Sequence, residues 1–355
     1  MASSRHVICT LYDHRYLGRG LCMIDSARAN GFTGDIHVLC LNEDARVAMK
    51  VLALPGVHTL MLADLERHIP ELLVAKANRG LLEYYFTCMA ALHTYLMDTL
   101  PEADCTMYVD ADIWFFENPE LVFDAIGDAP AAITPHNFTP TIAPKLSRFG
   151  AYNAGWSAFR RTPEGKKLLA WWLARSLEWC YTSIDGYRYA NQGYLTRFQE
   201  IAPGTRALSS KGFNVGPWNV GGYAIAERDG KIILNGDQLV FFHFHGLKLH
   251  YGVFYFDAHR TYRAPMPRLI RNRVYRPYVQ ALVANEKRAS AALAVSQIPM
   301  AAYTILPHSE TRHGFTRAGI AAWVRQAKSL TVEKVRRLQD ILAGRPILVW
   351  KRHIW

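Results

Sequence analysis

Hydrophobic and polar positions follow two different periods along the first 135 residues of this chain. Short runs of β-branched and other apolar residues predict strands at residues 6–11, 35–41, 57–62, 106–109 and 131–134. Longer stretches with helical periodicity lie between them, at residues 20–29, 43–52 and 80–100. Strands that alternate with helices are typical of a mostly parallel sheet covered by crossover helices. We therefore predict an α/β fold with a mixed, mostly parallel sheet and flanking helices.

A second block follows residue 150 and ends on a strongly apolar segment. Residues 153–159 predict a further strand, and Thr162-Pro163-Glu164 predicts the start of a long helix. Residues 238–246 then predict a buried strand that carries His243 and His245. Because successive side chains of a strand point to opposite faces, these two imidazoles lie on the same face.

The formal net charge of +11 is concentrated near the C-terminus. Residues 1–265 hold 25 Lys and Arg against 26 Asp and Glu, whereas residues 266–355 hold 16 against 4. A nearly neutral body with a basic tail does not fit a protein that coats nucleic acid, so we predict no nucleic-acid partner. We predict a catalytic domain over residues 1–263 and a basic, mainly helical C-terminal extension over residues 264–355.

The end of the chain interleaves tryptophan with cations. Residues 349–355 read Val-Trp-Lys-Arg-His-Ile-Trp, and apolar positions at helical spacing precede them within residues 331–342. Aromatic rings at headgroup depth and cations beside anionic lipid are typical of a bilayer interface. We predict a peripheral contact of this tail with an anionic membrane surface. The alternative is a C-terminal helix that packs on the body and exposes its charged face.

The composition is that of an ordinary globular protein. Half of the residues are hydrophobic, yet no run of about 18 apolar residues occurs, and the first residues do not read as a secretion signal. The six cysteines are widely separated and include no Cys-x-x-Cys pair, which indicates core packing in a reducing compartment. We therefore expect a cytoplasmic protein, with any peripheral contact on the inner face of the cytoplasmic membrane.

The most informative segment is Tyr108-Val109-Asp110-Ala111-Asp112, where an apolar run ends in two carboxylates. Alternation along an extended strand points both carboxylates the same way, so they can share one divalent cation or the diphosphate that it carries. The same spacing is also common at a solvated strand end, and Glu117-Asn118-Pro119 predicts a turn shortly afterwards. Other segments help to decide between these interpretations.

Four further segments follow in order: Asn153-Ala154-Gly155, Asn191-Gln192-x-x-Leu195, Pro217-Trp218-Asn219 and Phe242-His243-Phe244-His245-Gly246-x-Lys248. Together with the aspartate pair, they make most of residues 6–250 resemble the metal-dependent nucleotide-sugar glycosyltransferases of the GT-A fold. The chain is similar to the retaining enzymes related to family 8 and to uncharacterised transferases encoded with bacterial surface polysaccharides. This resemblance implies a GT-A fold, with the basic extension as a C-terminal helical tail.

The resemblance also implies a metal site. Asp110 and Asp112 would hold Mn²⁺ or Mg²⁺ against the donor phosphates, with His243 as the third protein ligand because it matches the family's His-x-x-Gly spacing to Gly246. His245 on the same strand face is the alternative ligand. Lys248 would reach a phosphate, although the family's longer form places this lysine one residue later and follows it with Pro-Trp.

The donor is expected to contact residues from several segments. The predicted donor-binding residues are Thr10, Leu11, Tyr12, Arg79, Tyr84, Asp110, Ala111, Asn153, Ala154, Gly155, Gly246 and Lys248. Tyr12 or Tyr16 could stack on the nucleotide base, the alternative being ordinary loop packing of these rings. Gly155 would let the backbone approach the sugar closely.

Asn191 and Gln192 are the predicted catalytic residues, and Asn191 departs from the family pattern. The family has Asp-Gln here, with the aspartate on donor-sugar hydroxyls and the glutamine beneath the reacting carbon. An inverting enzyme needs a base for the acceptor hydroxyl, and the candidates Asp185 and Asp237 lie in no supporting motif. We therefore predict a retaining reaction, in which the leaving phosphate oxygen helps to deprotonate the acceptor. The alternative is that Asn191 marks lost activity.

The sequence thus predicts a glycosyltransferase that takes its sugar from a nucleotide-sugar donor, which we expect to be a UDP-sugar. We expect the acceptor to be a polysaccharide or a lipid-linked molecule. The residues that choose the acceptor are expected in loops at residues 137–148 and 181–189. The alternative is an inactive carbohydrate- or nucleotide-binding scaffold at the inner membrane face. A phosphohydrolase is disfavoured because its aspartate pair would follow the first strand. A nucleotidyltransferase is disfavoured because no Gly-rich basic run lies near that strand.

Overall fold

The computed structural model describes residues 5–250, 254–295, 334–335, 337, 339–340, 346–350 and 353–354. These residues form two compact units. The first holds the described residues up to His245 and those from Ala258 to residue 295; the second holds the remainder. The domain boundary predicted between residues 263 and 264 does not coincide with the limits of these two units, and it stays a prediction. Of the predicted tail helix, the structure describes only residues 334–335, 337 and 339–340. Of the predicted membrane-contacting end, it describes residues 349–350 and 353–354, which lie in two short strands, and the membrane contact stays a prediction.

The strands of the first unit begin soon after the N-terminus and end before residue 245. They are β1 (Arg5–Tyr12), β2 (Asp35–Cys40), β3 (Val57–Met61), β4 (Ala103–Val109), β5 (Ile113–Phe115), β6 (Ala131–Pro135), β7 (Tyr152–Arg160), β8 (Arg206–Ala207), β9 (Ile225–Arg228), β10 (Lys231–Leu234), β11 (Asp237–Gln238) and β12 (Phe241–His243). The second unit contains β13 (Lys248–His250), β14 (Phe254–Phe256), β15 (Ile347–Trp350) and β16 (His353–Ile354).

The described helices of the first unit alternate with its strands as far as β4 and then become irregular in length. They are α1 (Leu17–Ala29), α2 (Glu43–Leu52), α3 (Leu62–His68), α4 (Glu71–Asn78), α5 (Leu81–Thr99), α6 (Glu120–Ile126), α7 (Leu146–Phe149), α8 (Pro163–Glu178), α9 (Phe198–Ile201), α10 (Arg268–Ile270) and α11 (Arg276–Val295). No helix in the described ranges combines the length and the apolar character that a membrane crossing requires.

A seven-stranded sheet with the order β3-β2-β1-β4-β7-β6-β8 is the centre of the first unit. The first four strands in this order pair in parallel, β7 runs antiparallel to both of its neighbours, and β8 pairs in parallel with β6. The carboxyl ends of β1 and β4 therefore lie at one edge of the sheet, where ligands of such folds bind. This mixed, mostly parallel sheet with flanking helices confirms the predicted fold class.

Two apolar layers cover the sheet, and alternation along each strand supplies both. Ile8 packs in the layer formed with α1, α2, α6 and α11, whereas Val7 and Cys9 pack in the layer formed with α3, α4, α5 and α8. Each layer removes apolar surface from water, the main favourable contribution to folding. The helices that connect β1 to β4 therefore cover both faces of the sheet: α1 and α2 pack on one face, and α3, α4 and α5 pack on the other.

Helix α11 packs against α1 although it lies beyond residue 264. Asn285 donates from Nδ2 to Asp25 Oδ2 at 2.9 Å, and the Arg288 guanidinium lies 3.2 Å from the same oxygen. Ala289, Ala292 and Leu293 add apolar contacts. The first part of the basic C-terminal region is therefore built into the first unit.

His93 is a fully buried histidine between the sheet and α8. Its Nδ1 lies 2.8 Å from Thr106 Oγ1 and its Nε2 lies 3.2 Å from Ser157 Oγ. Burial lowers the pKa of this imidazole to about 3. The folded protein therefore keeps the His93 imidazole neutral, whereas in an unfolded chain the imidazole takes up a proton near its ordinary pKa.

We expect acid to weaken this protein through His93. Because the unfolded chain takes up the proton below about pH 6.5, the unfolding free energy falls as pH falls from there toward about pH 3, by at most about 1.4 kcal/mol per pH unit. Urea unfolding at about pH 7, 6 and 5 checks this, with His93→Gln expected to give a shallower dependence. An equally steep pH dependence of the unfolding free energy in the unchanged protein and in His93→Gln would contradict this prediction.

Candidate active site

The two aspartates of the motif occupy a tight turn at the carboxyl end of β4. The Asp110 amide donates to the Gly155 carbonyl at 2.9 Å, which continues the pairing of β4 with β7 by one residue. The Ile113 amide then donates to the Asp110 carbonyl at 3.1 Å, and β5 begins at once. The backbone on both sides of Asp110 and Asp112 is thus held by hydrogen bonds.

His243 reaches this turn because β12 pairs antiparallel with β5, with His243 opposite Ile113. Its amide donates to the Val215 carbonyl at 2.7 Å, and the Phe244 amide donates to the Asp112 carbonyl at 2.9 Å. The imidazole Nε2 lies 3.0 Å from Asp112 Oδ1 and 3.6 Å from Asp110 Oδ2. One ligand atom from each of the three side chains lies within 4.8 Å of the others.

Burial and mutual charge set the protonation of this triad, Asp110, Asp112 and His243. Burial raises the pKa of Asp110 and the Asp112 charge adds to the rise, although His243 opposes it. Burial also acts to raise the pKa of Asp112, but the charge and hydrogen bond of His243 overcome it and lower that pKa. Burial would lower the pKa of His243, and the two carboxylates raise it above its usual value. At a pH below this raised pKa, a cation that binds here must displace a proton from the imidazole.

We expect metal binding to this triad to weaken as pH falls. The pKa of His243 is raised, so the imidazole holds its proton to higher pH than an ordinary histidine. Displacement of one proton makes the apparent Kd for Mn²⁺ rise about tenfold for each pH unit below that pKa. Titration with Mn²⁺ between about pH 8 and 6 checks this. A Kd that does not change over this range would contradict the assignment of His243.

Gly155 on β7 forms the floor beside the triad and has no room for a side chain. A Cβ built there would lie 2.5 Å from His243 Cε1 and 2.7 Å from Asp110 Oδ2. Carboxylate oxygens and an imidazole nitrogen, brought together beside bare backbone, fit a divalent cation such as Mn²⁺. The donor set and the small floor residue therefore suit the predicted metal.

A network of side-chain amides continues from Gly155. Asn153 Oδ1 accepts from the Gly155 amide and from Asn214 Nδ2, both at 3.1 Å. Gln192 Oε1 accepts from the Ala154 amide at 3.1 Å and lies 3.4 Å from Asn153 Nδ2, and Gln192 Nε2 donates to the Phe149 carbonyl at 2.8 Å. These contacts fix the half-buried Gln192 carboxamide beside residues 153–155.

Asn191 has different surroundings from its neighbour. Its side chain is 2% exposed, and Nδ2 lies 2.6 Å from the sulfur of Met89. Its carbonyl accepts from Trp172 Nε1 at 3.0 Å. Of the two predicted catalytic residues, Gln192 therefore lies beside the segment of Gly155, whereas Asn191 packs among buried side chains.

The predicted nucleotide contacts at the end of β1 are mostly buried. Thr10 is buried and Leu11 is half-buried, while the Tyr12 hydroxyl donates to the sulfur of Met49 and its ring packs beside Gly20. The Tyr12 ring therefore offers no face to a base. Tyr16 is 46% exposed, with the Arg19 guanidinium 4.8 Å from its ring centroid.

Charge connects Tyr16 and Arg19 with the triad. Burial raises the pKa of the Tyr16 hydroxyl, and the charges of Asp112, Asp110 and Asp13 contribute to the rise. Burial acts to lower the pKa of the Arg19 guanidinium, but neighbouring groups that include Asp112 raise it. Of the two predicted stacking residues, Tyr16 thus has the more exposed side chain, and it interacts electrostatically with Asp110 and Asp112 of the triad.

Arg79 and Tyr84 have structural partners within the described residues. The Arg79 guanidinium donates to Thr87 Oγ1 and to the Ser176 carbonyl, both at 2.8 Å, and to the Leu177 carbonyl at 2.7 Å. The Tyr84 hydroxyl donates to Glu66 Oε1 at 2.7 Å. These contacts connect α5 with α8 and α3, and a donor contact by either residue stays a prediction.

The remaining predicted residues are divided between the two units. Ala111 is buried within the aspartate turn. The His245 ring is exposed, 5.8 Å from the His243 ring between centroids. Gly246, with φ of +72°, and the exposed Lys248 belong to the second unit. Their predicted contacts with the donor stay predictions.

Sequence reasoning missed two residues of this site, His136 and Asn214. His136 Nδ1 lies 3.0 Å from the Gly150 carbonyl and Nε2 lies 3.4 Å from Asn153 Nδ2, while burial lowers its pKa to about 4. Asn214 adopts φ of +48° and donates to Thr134 Oγ1 at 2.8 Å. The Gly-rich segment around Asn214 was the available signal, because asparagine is one of the few residues that tolerate this conformation.

Comparisons with known proteins give relatives and solved structures. No protein-family model matches the chain. It is 27% identical over 248 residues to "Uncharacterized protein YfnF" of Bacillus subtilis (strain 168), a match that covers 68% of this chain and 81% of the relative. The galactosyltransferase LgtC, in complex with donor and acceptor sugar analogs, superimposes with a TM-score of 0.48 at 14% identity and covers 76% of this chain and 100% of its own.

Mouse xyloside xylosyltransferase 1 in its apo form superimposes with a TM-score of 0.42 at 16% identity, over 60% of this chain and 88% of its own. Both solved structures are glycosyltransferases by name. The seven-stranded, mostly parallel sheet with its flanking helices agrees with the fold class that the sequence predicts. These two glycosyltransferases are among the solved structures to which this chain is similar in fold.

Proposed function

We propose that this chain is a metal-dependent glycosyltransferase that moves a sugar from a nucleotide-sugar donor, a UDP-sugar by preference, to a glycan or glycolipid acceptor. The observation that carries the proposal is the triad of Asp110, Asp112 and His243 at the carboxyl end of β4, with Gly155 beside it. Mn²⁺ or Mg²⁺ in this position would offset the negative charge of the departing nucleoside diphosphate. The enzyme class rests on the fold and this triad together.

The surrounding residues support positioning of the donor. Gln192 is held by the Ala154 amide and the Phe149 carbonyl, so its carboxamide has one orientation beside Asn153 and Gly155. Fixed dipoles of this kind stabilise developing charge without reorganising during the reaction. The buried Asn191 side chain supplies no carboxylate, which is consistent with a retaining reaction in which no protein base deprotonates the acceptor.

Donor hydrolysis tests the proposal directly. Purified full-length protein is incubated with UDP-, GDP- and CDP-sugars, with and without Mn²⁺, and free nucleoside diphosphate is measured. We expect metal-dependent release from one donor, and NMR of the released sugar or product then gives the anomeric outcome. Metal-independent release, or release that survives Asp112→Asn, would overturn the proposed role of the triad.

A second candidate function is a binding protein that has kept the fold but lost turnover. The observation that favours it is Asn191, whose side chain is buried against Met89 in place of the carboxylate that the resemblance leads one to expect. Binding of Mn²⁺ and nucleotide, measured by calorimetry, without turnover of any donor would support this function. Turnover of one donor would exclude it.

The acceptor and the location are further parts of the proposal. The loop at residues 181–189 exposes the large side chains of Ile184 and Tyr187, each 44% accessible. Exposed apolar and aromatic side chains on a loop suit an acceptor with sugar faces or a lipid portion. We place the protein in the cytoplasm, with the basic tail as a peripheral contact to anionic lipid, and vesicle co-sedimentation with and without residues 299–355 tests that contact.

A further inference from the structure

A second cluster of metal-ligating side chains lies at the opposite end of the strands from the triad. It consists of Asp35, His37 and His58, and one ligand atom from each lies within 4.8 Å of the others. Asp35 and His37 belong to β2, and His58 belongs to β3, which forms one edge of the seven-stranded sheet. Neither strand end contributes to the proposed glycosyltransferase site.

The strand register places these three side chains on one face. Asp35 and His37 are two residues apart, and both are half-buried, whereas Ile36 between them is buried. His37 pairs with His58 across the parallel ladder. Their rings stack at 4.8 Å between centroids with 24° between planes, and His58 Nε2 lies 3.3 Å from Asp35 Oδ1.

Arg28 fixes the backbone on which the cluster stands. Its guanidinium donates to the carbonyls of Phe32 and Gly34, both at 2.7 Å, and to the carbonyl of Gly56 at 3.0 Å. The Ile36 amide also donates to the Gly56 carbonyl at 3.0 Å. The segments that lead into β2 and β3 are therefore held together before any ion binds.

We infer that Asp35, His37 and His58 form a binding site for a divalent transition-metal ion of the Zn²⁺ type. Two imidazoles and one carboxylate favour Zn²⁺ over Mg²⁺ or Ca²⁺, which prefer all-oxygen ligands. Ligand atoms around tetrahedral Zn²⁺ are about 3.3 Å apart, so metal binding requires the stacked imidazoles to rotate until their nitrogen atoms and the carboxylate oxygen converge at that spacing. The His58 side chain is 52% exposed, so water can complete the coordination. The bound ion would connect the edge strand to its neighbour.

Zinc binding to the full-length chain tests this inference. All measurements use a background protein that carries Asp112→Asn, because this change removes one candidate metal ligand from the triad and so reduces zinc binding there. Equilibrium dialysis against Zn²⁺ should give one strong site per chain, and His58→Gln should weaken it at least about tenfold. His68→Gln is the matched control, because His68 also pairs with an aspartate, with Nε2 3.0 Å from Asp98 Oδ2. The control should leave zinc binding unchanged.

A second variant and a second readout keep the outcome interpretable. Asp35→Asn should weaken zinc binding in the same way, and circular dichroism without zinc should match the background protein for every variant. Bound Zn²⁺ should raise the Tm of the background protein and not that of His58→Gln. Absence of a strong zinc site, or equal binding by His58→Gln and His68→Gln, would overturn the inference.

Discussion

Replacement of Asp112 by asparagine is expected to lower metal-dependent donor turnover by a factor of about a hundred to a thousand, with little loss of stability. The carboxylate is 13% exposed and lies 3.0 Å from His243 Nε2. Asparagine keeps the shape but removes one negative charge, so the triad binds a divalent cation less strongly and His243 loses the charge that raises its pKa. Initial rates of nucleoside diphosphate release at saturating and limiting Mn²⁺ measure the effect.

The control for this variant is Asp124→Asn, because Asp124 is an exposed carboxylate on α6. It should leave turnover and the apparent Mn²⁺ affinity unchanged. If Asp112→Asn needed more Mn²⁺ but recovered full turnover, its role would be affinity alone. Full turnover at ordinary Mn²⁺ would contradict the metal assignment, whatever the result for the control.

Replacement of Gly155 by alanine is expected to be nearly as damaging, although it adds only one methyl group. The new Cβ would meet His243 Cε1 at 2.5 Å and Asp110 Oδ2 at 2.7 Å, and neither atom can withdraw without changing the triad. Overpacking of this kind costs about 1–3 kcal/mol of stability. We expect donor turnover to fall by about a hundredfold or more, because ligand geometry changes at the same time.

Gly80→Ala separates this effect from the general cost of replacing a glycine. A Cβ at Gly80 would lie 3.4 Å from Glu83 Oε2, which is ordinary contact at the exposed start of α5. That variant should keep its turnover and its Mn²⁺ affinity. Thermal unfolding and donor hydrolysis, measured on both variants, distinguish a loss of stability from a change in ligand geometry. A Gly155→Ala protein with normal Mn²⁺ affinity and turnover would contradict the prediction, because it would show that a methyl group fits beside the triad.

Local signals were sufficient for much of the sheet and for the helices with clear ends. The predicted bounds of α2, residues 43–52, agree with the structure because Asn42 caps the helix, accepting from the Ala45 amide at 3.1 Å. Thr162 likewise accepts from the Gly165 amide at 3.0 Å at the start of α8. Capping and periodicity both depend on residues that are close together in the sequence, so they can be predicted from it.

Other elements exist only because of distant partners. Strand β5 has three residues and is defined by its pairing with β12, more than a hundred residues later. Such a segment is too short to show a period. The same reason explains the site: the aspartates and His243 could be named from their motifs, whereas the positions of His136 and Asn214 depend on how the loops pack.

The reversal of β7 within an otherwise mostly parallel core has a consequence for how the site can change. Residues 153–155 belong to β7, which pairs with β4 through residues 156–160 and with β6 through residues 157–159 and 152–153, on either side of a break in the β6 register. The floor of the site lies at that break and is held by two hydrogen bonds: the Asp110 amide donates to the Gly155 carbonyl, and the Ala154 amide donates to Gln192 Oε1. Under the proposed function, we expect adaptation to a different sugar or acceptor to come from the loops around this floor, while the triad stays the same.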